Sequence, residues 1–159
     1  MIRPATEADA DALWAMLEPV IRAGETYALP RDMDRAAALD HWLRRPAACF
    51  VVEVEGQVLG TYYLKPNQLG PGAHVANAGY VVGAEGRGRG LARRLCAHSL
   101  EEARRRGYRA MQFNCVVETN TAAVHLWESM GFAKMAHLPA VFDHPRLGPV
   151  GAFLMFRTL

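Results

Sequence analysis

The sequence predicts an α/β (α+β) domain with a mixed sheet. Three observations carry this. Helical periodicity opens the chain. Residues 49–64 are dense in β-branched and aromatic types. From residue 74 onward the pattern runs strand, helix, strand, helix, strand.

Taken in order, Ile2-Arg3-Pro4 reads as a short first strand. Thr6, with Asp9 three residues later, makes a capping-box-like start. Leu13, Trp14, Leu17, Val20 and Ile21 recur at helical spacing behind it. A second helix over about residues 34–44 carries Ala38, Leu39 and Trp42, and Pro46 stops it. Two strands fill residues 49–64, with Glu55-Gly56 as the tight turn between them. Another strand covers 74–82. A helix from about 90 to 106 ends in Arg104, Arg105 and Arg106, which suit the negative end of the helix dipole, and Gly107 suits a left-handed cap. Residues 109–117 read as a strand and 119–130 as a helix ended by Gly131. Residues 132–138 and 151–159 read as closing strands. No repeat or low-complexity tract interrupts this, so residues 1–159 are expected to form one domain.

Composition sets limits. Just over half of the residues are apolar, enough for one core. A net charge of +2, from 18 basic and 16 acidic residues, counts against a nucleic-acid binder. No apolar run approaches the roughly 20 residues that span a bilayer, and the first residues lack a signal peptide's apolar stretch. Cys49, Cys96 and Cys115 are odd in number and dispersed, as expected for free thiols in a reducing cytoplasm. The six histidines form no HExxH or Cys/His cluster, so no metal site is expected.

The stretch VVGAEGRGRGLARRL, residues 81–95, carries the chemistry. A helix N-terminus leaves amides unpaired and concentrates partial positive charge. Gly86, Gly88 and Gly90 let the backbone approach a ligand there, and Arg87 and Arg89 add forked donors for phosphate oxygens. A P-loop is excluded because no Lys-Ser or Lys-Thr follows the glycines. A dinucleotide fingerprint is excluded because Leu91 or Arg93 falls at the last glycine of GxGxxG.

Arg87-Gly88-Arg89-Gly90-Leu91-Ala92 resembles the [Q/R]-x-x-G-x-[G/A] segment of the GCN5-related N-acetyltransferases. NTAAVHLWESMGF resembles that family's second signature, with Asn120, Ala123, Leu126, Gly131 and Phe132 in register. The likeness runs from about residue 74 to 138. It implies a mostly antiparallel sheet of six to seven strands, splayed at the middle and flanked by about four helices. It further implies that backbone amides from Arg87 through Gly88, Arg89, Gly90, Leu91 and Ala92 to Arg93 bind the pyrophosphate of acetyl-CoA. Val82 would mark where the fourth and fifth strands splay and receive the thioester, with an amide nearby facing the developing oxyanion. Asn120 would touch the pantetheine arm. A homodimer is the family's common habit.

Two positions depart from the family pattern. Trp127 stands where a Tyr often acts as general acid; an indole only donates, and the residue is read as packing. The strand HVANAGYVV lacks the Glu that often serves as base, and neither His74 nor Glu118 is assigned that role. Asn77 and Asn114 interrupt apolar strands, and with Asn120 they suggest one polar pocket; the alternative is solvent-facing strand residues. ANAGYVV, FNCVVETNTAAVHLW and MGF resemble the branch that acetylates proline analogues such as azetidine-2-carboxylate. That likeness implies substrate contacts at Asn77 and Asn114. Tyr27, Tyr62 and Tyr63 are either wall residues of the cleft or core or surface residues. The expected activity is acetyl-CoA-dependent N-acetylation of a small-molecule amine. A protein lysine or N-terminal acetyltransferase and a non-catalytic acyl-CoA-binding module stay open.

Overall fold

Strands β2 (Ala48–Val54) and β3 (Gln57–Pro66) are buried on both faces, so their sheet needs cover on both sides. The computed structural model, which describes residues Met1–Leu159, supplies it. Helices α1 (Ala10–Ala23) and α2 (Arg35–Leu39) cover one face. Helices α3 (Leu91–Arg105) and α4 (Thr121–Ser129) cover the other. The sheet has seven strands in the order β1-β2-β3-β4-β5-β7-β6. Its remaining members are β1 (Ile2–Pro4), β4 (Val75–Val82), β5 (Ala110–Val117), β6 (Ala133–His144) and β7 (Gly148–Thr158). All neighbours are antiparallel except β4 and β5.

Each layer has its own core. Leu13, Leu17, Leu39 and Trp42 pack on Val51, Tyr63 and Val81 on the α1/α2 side. Leu95, Leu100 and Trp127 pack with Phe50, Tyr62 and Met111 on the other. Burying one large apolar side chain stabilises by about 1.5–3 kcal/mol. The polar atoms taken inside find partners. The Trp42 indole donates to Thr61 Oγ1 at 3.1 Å, and that hydroxyl donates to the Phe50 carbonyl at 2.8 Å. Before α1, the Asp9 carboxylate accepts the Thr6 amide at 2.8 Å and two guanidinium bonds from Arg3 at 2.9 and 2.8 Å.

The second helix changes winding midway. Asp34 caps it by accepting from the Ala37 amide, α2 runs five residues, and Asp40–Arg44 continue as a π-helical turn. The closing hairpin is longer than expected. Pro139 lies within β6, but β6 is an edge strand, where a missing amide is tolerated. Ala140, with φ of 53°, sits in the irregularity between Leu138 and Phe142 that lets the ladder resume.

The expected splay at Val82 is corrected. Strands β4 and β5 pair only at Val75 with Ala110 and Ala76 with Met111. The sheet therefore opens at Asn77, five residues before Val82, and Val82 lies far along the opening. Register between two strands joined by a long crossover is a tertiary property, which explains the misplacement.

Candidate active site

The opening between β4 and β5 is a cleft of about 630 Å³. Its β4 wall is backbone. Gly83 donates to the Leu59 carbonyl at 3.0 Å, and Asn67 donates to the Val75 carbonyl at 2.8 Å. Bonded and non-bonded pairs alternate along an antiparallel ladder, so the odd-numbered residues of β4 bond to β3. Ala78, Tyr80 and Val82 turn their amides and carbonyls the other way, toward β5. At Tyr80 both groups are engaged by Tyr27. The Tyr27 hydroxyl accepts from the Tyr80 amide at 2.8 Å and donates to its carbonyl at 2.6 Å.

The open end of the cleft is the N-terminus of α3. Arg94 is the first residue whose amide bonds back, to the Gly90 carbonyl at 3.2 Å. No side chain caps the helix, so the amides of Leu91, Ala92 and Arg93 have no partner within the helix. Gly88 and Gly90 have φ of 72° and 70°, and a Cβ at either would meet nothing within 4 Å. Here glycine serves the backbone conformation and leaves open space above the amides. Gly86 is different: its Cβ would lie 2.8 Å from the Leu59 carbonyl, so close packing excludes a side chain. Of the run from Arg87 to Arg93, Arg87 and Ala92 line the cleft, and Arg89 is exposed outside its lining. Leu91 faces the core, and the Arg93 guanidinium turns away to Ser129 Oγ at 2.8 Å.

The three asparagines line this one cleft but do not bond to one another. Asn77 sits in the fork of the strands. Its Nδ2 donates to the Gln112 carbonyl on β5 at 2.9 Å, and its Oδ1 accepts from the Tyr63 hydroxyl at 3.3 Å. It ties the strands where their ladder ends. Asn114 lies in a β5 irregularity between Phe113 and Val116, and bonds Asn67 at 2.7 Å and Gln112 at 3.0 Å. Asn120 caps α4 through its Oδ1 to the Ala123 amide at 3.4 Å.

Tyr80, Trp127, Phe113 and Phe132 pack ring against ring, with Trp127 centred 4.9 Å from Tyr80 and 5.1 Å from Phe113. Trp127 lines the cleft as part of this cluster. His74 is exposed just before β4, outside the cleft. Glu118 is also outside it: it accepts from the Gly151 amide and meets His137 Nε2, each at 2.7 Å. The Gly151 amide and then His137 hold its carboxyl below the usual range.

Two cleft residues were missed by the sequence reading, His41 and Lys65. Lys65 pairs across the ladder with Asn77, and its Nζ lies 5.5 Å from the centre of the Tyr63 ring. His41 comes from the π-helical turn, its ring edge-on to Tyr63 with centroids 5.8 Å apart. Burial first, then Lys65 and Arg45, lowers the His41 imidazole from its ordinary value. Burial pushes the Tyr63 phenol up to about 12 and raises the Cys115 thiol. No carboxylate lines the cleft; its charged residues are Lys65 near the fork and Arg87 beyond Val82.

Residues 14–132 match the family model described as acetyltransferase (GNAT) family. The fold is similar to that of a GCN5-related N-acetyltransferase from Kribbella flavida, with a TM-score of 0.95 and 43% identity over 100% of this chain and 97% of that one. The chain is 31% identical over 130 residues to N-acetyltransferase aca1 of Schizosaccharomyces pombe. That match takes in 72% of this chain and 62% of the relative, so this chain spans less than two thirds of the yeast protein. The fold is also that of yncA from Salmonella typhimurium, solved with its cofactor acetyl-CoA, at a TM-score of 0.83 and 24% identity over 100% of this chain and 93% of that one.

Proposed function

We propose that this chain, which belongs to the acetyltransferase (GNAT) family, transfers the acetyl group of acetyl-CoA to the amine of a small molecule that carries a carboxylate. One observation supports the acceptor class: a cleft without carboxylates that has a cation near each end. Arg87 and the free amides of Leu91, Ala92 and Arg93 suit the pyrophosphate, and the open space above Gly88 and Gly90 gives it room. Lys65 forms no ion pair and stands beside Asn77, roughly 16 Å along the strand from Val82 at about 3.3 Å per residue. Lys65 suits the acceptor's carboxylate.

On this reading, the gap-facing backbone of Val82 pairs with the pantetheine arm, as does the Nδ2 of Asn120, whose Oδ1 is already spent on the helix cap. The thioester carbonyl lies nearer the fork, toward Tyr80 and Ala78. Asn77 and Asn114 border the acceptor, Asn77 with an Oδ1 lone pair to spare. Proline analogues belong to the acceptor class, since a cyclic secondary amine beside a carboxylate presents both groups.

The test is a panel of amines incubated with the purified chain and acetyl-CoA, with free thiol as the readout. The panel holds amino acids, azetidine-2-carboxylate, amines lacking a carboxylate, and peptides with a lysine or a free N-terminus. Carboxylate-bearing small amines are expected to lead in kcat/KM by about tenfold or more, the worth of one charged hydrogen bond. Turnover confined to peptides overturns the small-molecule reading. Tight CoA binding without amine-dependent thiol release makes the chain a binding module.

A further inference from the structure

We propose that His41 is the catalytic residue that takes a proton from the acceptor amine, a role that rests on the acetyl-transfer reading above. The cleft's ionisable side chains are Tyr27, His41, Tyr63, Lys65, Tyr80, Arg87 and Cys115. Lysine and arginine hold their protons at neutral pH. Burial raises the three phenols and the thiol, so they too keep theirs. His41 alone presents a basic lone pair near neutrality.

Its position fits the role. The imidazole packs on Tyr63, whose hydroxyl donates to Asn77 in the fork of β4 and β5. His41 thus stands at the acceptor end, on the α1/α2 side, away from the phosphate end at α3. Both ring nitrogens are free of protein hydrogen bonds, so either is available to a ligand. The π-helical turn shifts the helix register at this residue, a distortion that recurs at functional sites. Lys65 and Tyr63 face His41 from β3, Tyr27 lines the same cleft from the loop after α1, and Arg45 ends its own turn. Its neighbour Asp40 is occupied by Arg45 at 2.9 Å. The charges that bear on the ring are therefore positive, and together with burial they keep it neutral.

The proton balance is simple. A primary ammonium loses two protons in becoming an amide nitrogen with one hydrogen, and a cyclic secondary ammonium loses two in becoming an amide nitrogen with none. His41 accepts the first on its unprotonated ring nitrogen and passes it to solvent at the mouth of the cleft. The freed lone pair forms the C–N bond, and the C–S bond breaks with its electron pair on sulfur. The second proton leaves on that sulfur as the thiol. Nothing is oxidised or reduced.

The experiment compares wild type with His41→Gln and His41→Asn, using the best amine from the panel. Three quantities are read: kcat/KM across about pH 5 to 9, CoA affinity by calorimetry, and the His41 ring titration by NMR in the protein alone. At neutral pH the variants are expected to lose about 10²- to 10⁴-fold in kcat/KM, the range a positioned base supplies. Their CoA dissociation constants stay within about twofold of wild type. The wild-type profile falls on the acid side as His41 protonates, below the ordinary 6.5, and the variants lose that inflection. A merely structural histidine would leave the inflection in place. Variants within about threefold of wild type, a retained inflection, or a ring that titrates above 6.5 overturn the assignment. If wild type binds CoA but releases thiol with no amine, the acetyl-transfer reading itself fails, and His41's role with it.

Discussion

The Tyr27 hydroxyl holds both backbone groups of Tyr80 at once, accepting from the amide at 2.8 Å and donating to the carbonyl at 2.6 Å. Tyr27 lies in the connection after α1, so this contact fastens the α1/α2 layer to the exposed flank of β4. Its ring also meets Trp42 edge-on at 5.6 Å. Tyr27→Phe keeps the ring contact and releases Tyr80. The expected loss is about 0.5–1.5 kcal/mol per hydrogen bond. At about 2–4 °C per kcal/mol for a chain of this length, Tm drops by a few degrees. A melt indistinguishable from wild type would show that the fastening carries no stability.

Asn77 joins the strands and borders the acceptor end, so its removal is expected to register twice. Asn77→Ala abandons the Gln112 carbonyl and the Tyr63 hydroxyl. Stability falls by about 1–3 kcal/mol, and kcat/KM for the amine by roughly tenfold to a thousandfold, with CoA affinity little changed. Asn77→Asp is worse still for an acceptor with a carboxylate, because like charges repel and the donor to Gln112 is lost. Thermal melts and amine kinetics separate the two effects. Full kcat/KM in variants that melt early would leave Asn77 as a tie between strands and nothing more.

Gly90→Val is a test of the phosphate end. Valine at a φ of 70° costs about 1–2 kcal/mol, and no neighbour lies within 4 Å to clash. The fold should survive. The branched side chain, though, stands beside the free amides of Leu91 to Arg93, and CoA affinity should fall by about tenfold or more. Calorimetric titration measures it; unchanged affinity in a folded variant removes the phosphate cradle.

Trp127→Phe keeps an aromatic ring among Tyr80, Phe113 and Phe132 and leaves a small void, costing about 1–2 kcal/mol. Most of the turnover is expected to remain. A folded, CoA-saturated variant slowed by about a thousandfold, well inside the reach of acid–base catalysis, would assign Trp127 a chemical part.

Acid should loosen the start of α1. Hydrogen bonds from Arg3 hold the Asp9 carboxyl below its ordinary 3.8. A depressed carboxyl stabilises the fold fully above that ordinary value and loses its contribution as pH falls through the folded value. Urea midpoints should therefore drop between about pH 5 and pH 2, and Asp9→Asn should flatten that decline while lowering stability at neutral pH. An unchanged slope in the variant would place the acid sensitivity elsewhere.

What could be read in the sequence follows from how local the cause is. Gly90 and Leu91 mark a helix start because the backbone demand is met within a few residues. Trp127 was read as packing and sits in an aromatic cluster. The fork at Asn77 was not legible, since it depends on where β4 meets a strand some 35 residues later in the chain. Lys65 was missed because its face is set by the register of β3 against β4. His41 was missed because helical spacing assumes an ordinary turn, whereas Asp40–Arg44 are wound more widely.

The strand order has a consequence for how the protein is made. Strand β7 is synthesised after every other strand of the sheet, yet it lies between β5 and β6. Until residues 148–158 emerge, β6 has no partner, and the β5 wall of the cleft is a bare edge with open amides and carbonyls. The nascent chain can assemble β1 to β4 with α1 and α3 while its binding wall waits for β7. A ribosome stalled before Gly148 thus displays a nearly complete layer of secondary structure with an adhesive margin, the stage at which this polypeptide most needs a chaperone's shelter.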